Sequence, residues 1–304
     1  MSRTYASPEA FKQALESHIR TAAQQRTISI VRMRQRFIAE RLLVRLQATL
    51  GDRVIAKGGL VLEMRMSGAR TTKDLDLRLS GSAVSLLQVL ETAVSNDQSD
   101  WLRFRIQTDD AHPTIEGQGV VYEGHRFVAR ATLARKPYGD PFGVDVGLGD
   151  VLTEGPDVVE GSDVLNFVGA ERPHFRVYPR VAHVAEKLHA YTLPRVRENT
   201  RVKDLPDLAL LATTGPFSAA ALRAAFEATF LVRGTHALPD RLPPPPATWV
   251  ARYSAIATSD SLNWKTLDAV YAAAQAFVDP VLLPLEELGK WEPATWQWKP
   301  VKRD

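Results

Sequence analysis

The segment Asp74–Leu79, which reads DLDLRL, constrains the fold of this chain more than any other part of it. Polar residues and leucines alternate, and a period of two is typical of a β-strand with one buried face. The leucines are therefore predicted to face a core, and Asp74 and Asp76 to project together from the opposite face. Two carboxylates side by side on a packed strand can hold metal ions. The alternative is that they belong to a solvated strand surface.

A second motif, Lys57-Gly58-Gly59, precedes this strand. It ends a strand predicted over 53–57 and comes before a helical segment over 60–66. Glycines at such a junction leave backbone N–H groups open to a phosphate and place no side chain in its way. A Gly-Gly pair alone usually marks a turn. Combined with the two acids in a strand–turn–helix–strand context, it predicts a nucleotide site in which Lys57, Gly58 and Gly59 contact phosphates.

Asp145 is a candidate third metal ligand, together with Asp74 and Asp76. It lies in an apolar strand predicted over 142–147. A charge in such a strand is costly unless it is paired. A metal ion shared with the other two acids is one possible partner. A salt bridge to an arginine such as Arg78 or Arg130 is the alternative.

Two later segments carry further candidates. Lys187 interrupts a small, apolar helical run, where it either enters a cleft or extends along the surface with its amine in water. Asp204 falls near a predicted helix start, as an N-cap or first-turn acid. Arg201 and Lys203 precede it and could reach phosphate oxygens. In combination with the first two motifs, this cluster favours a role at a triphosphate.

Composition narrows the choice of metal and leaves nucleic acid open as a partner. The 304 residues include no cysteine, which excludes disulfides and thiolate metal sites. A metal held by carboxylates is expected to be Mg²⁺ or Mn²⁺. Arginine dominates the basic residues, and the arginines between Arg32 and Arg45 on a predicted helix are candidates for contact with a nucleic-acid backbone. The alternative for that helix is a solvated face.

The order of elements predicts an α/β (α+β) fold with two lobes. Residues 1–175 are expected to form a mixed β-sheet lobe with N-terminal helices, and residues 176–304 a helical domain. A hairpin turn is predicted at Glu123-Gly124-His125. The first twenty residues lack the apolar core of a signal peptide, and no stretch is long enough for a membrane span, so a cytoplasmic protein without a membrane partner is expected.

The motifs resemble those of the AbiEii/AbiGii toxin family, which includes the MenT toxins and belongs to the DNA polymerase β-type nucleotidyltransferase superfamily. The resemblance extends from about Val54 to about Leu211. The segments that carry it are Lys57-Gly58-Gly59, Arg70-Thr71-Thr72-Lys73-Asp74-Leu75-Asp76, Glu186-Lys187-Leu188-His189-Ala190 and Arg201-Val202-Lys203-Asp204-Leu205-Pro206-Asp207-Leu208.

The resemblance implies a nucleotidyltransferase-type mixed sheet with a helical second lobe, and a metal-dependent transfer of nucleotides from a nucleoside triphosphate. In MenT-like members the acceptor is the tRNA 3′ end, which blocks translation. By motif, Asp74 and Asp76 look like the metal pair, and Lys187 like the lysine that contacts the triphosphate. Asp204 looks like a supporting catalytic acid, and Thr72 holds the hydroxyl position two residues before the first acid. A cognate AbiEi-like antitoxin is the implied protein partner, and a monomer is expected.

One departure and two alternatives accompany the resemblance. Polymerase-type relatives often have Gly-Ser where this chain has Gly58-Gly59, so the missing serine contact would fall to backbone N–H groups and Lys57. The first alternative is a catalytically inactive fold that binds an antitoxin or RNA. The second is an active transferase whose acceptor is a protein or a small molecule.

Overall fold

The structure, a computed structural model, describes residues 5–66, 72, 74–81, 85–114, 124–148, 152–195, 199, 201–284 and 288–301. Arg70, Thr71 and Lys73 of the central motif lie outside these residues. So does the strand predicted over 118–123.

The described residues contain helices before, between and after the strands of the sheet. Their bounds are α1 Pro8–Gln25, α2 Ile30–Leu50, α3 Gly58–Arg65, α4 Leu86–Val94, α5 Arg180–Thr192, α6 Asp204–Ala212, α7 Ala219–Arg233, α8 Trp249–Ser259 and α9 Leu267–Leu282. The first two begin at serine N-caps, where the hydroxyls of Ser7 and Ser29 accept hydrogen bonds from first-turn N–H groups. None of the described helices combines the length and apolarity that crossing a membrane requires.

The strands form one large mixed sheet and a separate C-terminal hairpin. Their bounds are β1 Val54–Lys57, β2 Leu75–Leu79, β3 Arg103–Thr108, β4 Gly124–Leu133, β5 Lys136–Pro137, β6 Phe142–Leu148, β7 Asp157–Glu160, β8 His174–Val177, β9 Leu288–Glu292 and β10 Gln297–Pro300. The sheet order is β3-β4-β6-β2-β1-β8-β7, with β5 paired to β4. β2 is antiparallel to β1 and parallel to β6, so the predicted mixed-sheet α/β fold is confirmed.

The predicted strand around the two acids occupies the middle of this sheet. Leu75, Leu77 and Leu79 are buried in a core that α1, α2 and α4 cover. The alternation of the sequence therefore becomes an alternation between a leucine face and a polar face. Asp74 differs from the prediction in one respect, because it immediately precedes β2 and is exposed.

Three of the arginines of α2 are buried and paired with acids, so they neither contact a nucleic acid nor form a solvated face. Arg41 and Arg45 are buried and share the buried carboxylate of Asp100, at 2.6 Å in both cases. Arg36 is paired with Glu40 at 2.8 Å, also in the interior. Both expectations for this helix are wrong for these three arginines. A buried charge is costly without a partner, so Arg41 and Arg45 must stay paired with Asp100. These ion pairs attach α2 to the segment that precedes β3.

A second core lies among the helices α5 to α9. Leu62 of α3 is the described residue from the first half of the chain that belongs to its buried set. The C-terminal hairpin completes this core: Trp291 is buried, and its indole N–H donates to the carbonyl of Ala212 at 2.8 Å. The second lobe thus contains a β-hairpin as well as the predicted helices.

Two further differences concern the sheet. The turn predicted at Glu123-Gly124-His125 is wrong for Gly124 and His125, which begin β4. The strands β7 and β8 were not predicted, and β8 extends the sheet by pairing in parallel with β1. Short strands with few alternating residues give little periodic signal.

Candidate active site

A row of four charged residues crosses the middle of the sheet. Asp76 on β2 is opposite Lys57 on β1 and opposite Asp145 on β6, and Asp145 is opposite Arg126 on β4. Residues directly opposite in neighbouring strands project from the same face. The register therefore places two carboxylates side by side between two cations.

The glycines of the first motif leave room for the second motif. Gly58 has a φ of +69°, and a Cβ placed on it would lie 1.9 Å from Oδ2 of Asp76. A Cβ on Gly59 would lie 2.7 Å from Cβ of Thr72. Both positions must be glycine for the acid and the threonine to approach the start of α3. A serine in place of Gly59 would meet Thr72, which gives a physical reason for Gly-Gly in this chain.

Asp74 is positioned in a similar way against β6. Its Oδ1 lies 2.5 Å from where a Cβ on Gly143 would be. The backbone carbonyl of Asp74 accepts a hydrogen bond from the Thr72 hydroxyl at 3.3 Å, and the N–H of Thr72 donates to the buried Glu63 at 2.7 Å. The segment before β2 is thereby held over the sheet.

The carboxyl group of Asp76 is electrostatically disfavoured in its charged form. Burial, and then the charge of Asp145, raise the pKa of Asp76 to about 6, while Lys57 and Lys187 act in the opposite direction. A carboxylate that is buried beside another carboxylate is stabilised by an added cation.

Asp145 has an arginine partner, but neither of the two that the sequence suggested. Both of its oxygens accept hydrogen bonds from Arg126, each at 2.8 Å. Arg78 instead donates to the Ser80 hydroxyl, and Arg130 is opposite Arg105 on the edge side of the sheet. The salt-bridge alternative is thus present with a different arginine, and a role for Asp145 as a metal ligand stays a prediction.

The helical lobe contributes a second charged cluster. Lys187 on α5 is largely buried, and its Nζ lies 2.9 Å from Asp204 and 2.8 Å from Asp207 on α6. Arg201 also contacts Asp204, at 2.5 Å. Asp204 occupies the first turn of its helix, as predicted. Burial opposes its ionisation, but Lys187 and Arg201 outweigh burial and lower the pKa of Asp204.

Lys187 is therefore not a lysine that extends along the surface with its amine in water. Its second partner is Asp207, which is fully buried. Asp207 lies in the last of the motif segments, but no role was predicted for it. The spacing of Asp204 and Asp207 by three residues was the available signal, because such residues share one helix face. Lys203, by contrast, is exposed at the start of α6.

The two clusters are electrostatically coupled. Lys187 opposes the burial and the Asp145 charge that raise the pKa of Asp76, and Asp204 first, with Asp76 as a smaller cause, raises the pKa of Arg201. Lys57 lies 3.9 Å from Glu186, a neighbour of Lys187 on α5. Glu186 also contacts Arg233 at 2.8 Å. Glu186 begins one of the segments that carry the family resemblance, but its ion-pair partners come from distant parts of the chain, which the motif does not indicate.

The donor set suits a divalent cation, with one qualification. Asp74 and Asp76 offer the oxygen ligands that Mg²⁺ and Mn²⁺ prefer, and Asp145 on the neighbouring strand adds a second negative charge beside Asp76. Within the described residues, no three side chains of Asp, Glu or His are grouped closely enough to hold a metal ion. Asp145, the natural third ligand, is engaged by Arg126.

Comparison with solved structures identifies the class of fold. The chain is similar to MenT4, the nucleotidyltransferase toxin Rv2826c from Mycobacterium tuberculosis H37Rv, with 16% identity, a TM-score of 0.55 and 88% coverage of each chain. It is also similar to JHP933 from Helicobacter pylori, with 15% identity, a TM-score of 0.44, and coverage of 82% of this chain and 93% of that one. The fold is that of the nucleotidyltransferase toxins.

Comparison with family models identifies the family. Residues 41–292 match the model described as "Nucleotidyl transferase AbiEii toxin, Type IV TA system". This chain belongs to the AbiEii nucleotidyltransferase toxin family, as its motifs predicted. No curated protein sequence matches it.

Proposed function

We propose that this protein is the toxin of a toxin–antitoxin pair and transfers nucleotides from a nucleoside triphosphate to the 3′ end of an RNA, in particular a tRNA. The observation that supports this proposal most is that Lys57, opposite Asp76 in the sheet, lies 3.9 Å from Glu186, which adjoins Lys187 in the charged cluster of the helical lobe. Acids from the sheet and cations from the helical lobe are the two halves that a metal-dependent nucleotidyl transfer requires. Family membership supports the same activity.

The cations have the role of binding the triphosphate. Lys187 is held in place by two carboxylates, so its position is fixed before a nucleotide arrives. Arg201 and Lys57 flank it, and Lys203 is exposed and close enough in sequence to follow Arg201. The backbone N–H groups of Gly58 and Gly59 begin α3 and point from a helix N-terminus, which favours an anion. Thr72, packed against Gly59, borders the same region.

The acids have the role of holding divalent cations at the reacting phosphate. Asp74 and Asp76 would hold Mg²⁺ or Mn²⁺, and Asp145 would join them on release from Arg126. When bound, the cation neutralises phosphate charge and lowers the pKa of the attacking hydroxyl. The 3′ oxygen of the acceptor forms the new bond to the α-phosphorus while the bond from that phosphorus to the oxygen bridging to the β-phosphorus breaks; pyrophosphate leaves with that oxygen, and the hydroxyl proton passes to solvent. Asp204 supports the reaction through Lys187.

The direct test is labelling of RNA. Purified protein is incubated with each α-³²P-labelled nucleoside triphosphate, Mg²⁺ and total cellular RNA. We expect label in the tRNA fraction with the wild type, and a loss of at least about 100-fold with Asp74→Ala. Because Asp74 is exposed, the variant should keep its thermal unfolding midpoint. Asp240→Ala, which changes an exposed acid between α7 and α8, is the matched control and should retain activity.

The same experiment separates the alternatives. Label on protein or small molecules but not on RNA would favour a different acceptor. Nucleotide binding by calorimetry without any label transfer would favour an inactive binding module. Sequencing of tRNA 3′ ends after induction in cells, with and without the product of the adjacent gene, would test the tRNA acceptor and the cognate antitoxin together. We further propose that the toxin acts as a monomer in the cytoplasm, which light scattering and cell fractionation would test.

A further inference from the structure

A cavity of about 600 Å³ opens beside Asp74, on the side of the first lobe where α1 and α2 connect. Its walls come from both lobes, since Ser259 and Ser261 at the end of α8 complete it. Apolar side chains line part of it, among them Ile28, Val31 and Phe142. A volume of this size is typical of a site for one small organic ligand.

A second cavity, of about 400 Å³, adjoins the first. The two share Arg26 and Arg36 as lining residues, whereas Asp74 lines only the first. The second cavity is rich in arginine. Its lining includes one acid, Glu160, and five arginines: Arg26, Arg36, Arg65, Arg172 and Arg180. Three of them are paired with acids, Arg36 with Glu40, Arg65 with Asp157, and Arg172 with Glu160 and Asp163.

Two of these arginines have unused hydrogen-bonding capacity. The Nε of Arg65 is buried without a hydrogen-bond partner. Within the described part of the chain, the side chain of Arg26 makes no hydrogen bond or ion pair, and burial together with the charge of Arg36 lowers its pKa. A buried donor without a partner, such as the Nε of Arg65, is uncommon, and an anion would satisfy it together with the half-buried side chain of Arg26.

The order of these features distinguishes between the two substrates of a nucleotidyl transfer. A nucleoside triphosphate places its phosphates at the acids and its uncharged base away from them. A nucleic-acid 3′ end has the reverse order, with the terminal sugar hydroxyl at the acids and the phosphodiesters further away. Here the first cavity, partly apolar, borders Asp74, and the arginines of the second cavity lie beyond it. This order matches the acceptor.

We propose that the two cavities form the acceptor site: the first receives the unpaired 3′-terminal nucleoside of an RNA, and Arg26 and Arg65, which line the second, bind the phosphodiesters that precede it. This proposal rests on the proposed function and specifies how its acceptor is bound. The triphosphate then occupies the other side of the acids, near Lys187 and Arg201. We expect an unpaired end to bind better than a base-paired one, because a single nucleoside can enter the cavity between the lobes only when it is free of its partner strand.

The first test fills the terminal cavity. Ser259→Trp places a large ring at its rim from an exposed position on α8, and Ser254→Trp makes the same change at an exposed position of the helix outside the cavity. Both variants are assayed for label transfer to an RNA with an unpaired 3′ end, and for nucleoside triphosphate binding by calorimetry. We expect Ser259→Trp to raise the KM for RNA at least about tenfold, with unchanged nucleotide affinity, and Ser254→Trp to match the wild type. An unchanged KM for RNA in Ser259→Trp would overturn the proposal.

The second test measures how much Arg26 contributes to the binding of RNA phosphates. Arg26→Gln removes a side chain without a described partner, and Arg103→Gln is a control on an exposed arginine of β3. RNA affinity is measured at several salt concentrations with a non-hydrolysable triphosphate present. We expect the slope of log K against log salt to fall by about 0.7 in Arg26→Gln and to stay unchanged in Arg103→Gln, as for the loss of one phosphate contact on a single strand. An unchanged slope in both variants would overturn the second half of the proposal.

A paired acceptor distinguishes this proposal from the proposed function. If the wild type labels no RNA at all, the proposed function fails. If it labels an RNA with a blunt, base-paired end as efficiently as the same RNA with an unpaired end, RNA transfer stands and the acceptor site proposed here is wrong. Labelling of the unpaired end alone supports both.

Discussion

At the scale of single residues, the site combines acids that are poorly stabilised with cations that are firmly held. Burial and the neighbouring Asp145 raise the pKa of Asp76 to about 6 from an ordinary value of 3.8. A carboxyl group whose pKa is higher in the folded state costs stability at neutral pH. Its contribution to stability is fully present below pH 3.8 and is lost as the pH rises through about 6.

Asp76→Asn should therefore make the protein more stable and inactive. At pH 7.5 and without divalent cations, we expect the free energy of unfolding to rise by about 3 kcal/mol, as for a pKa difference of about two units. The gain should disappear as the pH falls from 6 towards 4, because the wild-type carboxyl group is then neutral. Urea unfolding across this range measures it, with Asp74→Asn as the exposed control. A less stable Asp76→Asn variant at pH 7.5 would show that Lys57 and Lys187 outweigh burial.

At the scale of elements, the junction between β1 and α3 depends on contacts with β2 and the segment before it. Gly58→Ala should be severely damaging, because the added methyl group meets the carboxylate of Asp76 and the residue has a positive φ. Gly51→Ala is the matched control, since Gly51 also has a positive φ, +57°, but open space around it. We expect Gly51→Ala to cost about 1 kcal/mol from backbone strain alone, and Gly58→Ala to cost clearly more and to abolish label transfer. Equal effects of the two substitutions on unfolding and activity would contradict the contact.

The attachment of α2 to β3 is another prediction at this scale. Asp100 neutralises the buried Arg41 and Arg45, and it also accepts a hydrogen bond from the N–H of Leu102 at 3.1 Å. Removing one partner of a buried ion pair leaves the other charges unpaired, so we expect Asp100→Asn to destabilise the fold by about 3–5 kcal/mol. Chemical unfolding measures this. Asp97→Asn breaks an exposed pair with Arg103 and should change stability by less than about 0.5 kcal/mol.

At the scale of the whole molecule, two hydrophobic cores meet at α3. Leu60 is buried in the first core and Leu62 in the second, two residues apart on one helix. Five of the six tryptophans follow residue 248, so tryptophan fluorescence reports mainly on the second core. The two cores are consistent with lobes that divide near residue 175, and that boundary stays a prediction.

Leu62→Ala should consequently disturb the helical lobe from within the sheet lobe. We expect it to cost about 2–5 kcal/mol and to lower the midpoint of the fluorescence-detected transition. Leu60→Ala, of equal chemistry, should affect that transition less and affect the far-ultraviolet circular dichroism transition of the sheet lobe more. Identical midpoints by both probes in both variants would mean that the cores unfold as a single unit.

The sequence by itself determined the features that depend on neighbouring residues. The alternation from Asp74 to Leu79 specified a strand with one acidic face, because strand periodicity is local. Apolar spacing predicted the long helix α2 and the helical character of the chain after residue 176, and the motifs predicted the family.

Only the tertiary structure decided which charges meet. Asp145 pairs with Arg126 rather than with Arg78 or Arg130, because the register of β4 against β6 brings Arg126 opposite it. The ion pair between Asp207 on α6 and Lys187 on α5 likewise depends on how these two helices pack. The strand β8 and the C-terminal hairpin also depend on partners distant in the chain. Pairings of this kind follow from strand order and helix packing, which local sequence patterns do not encode.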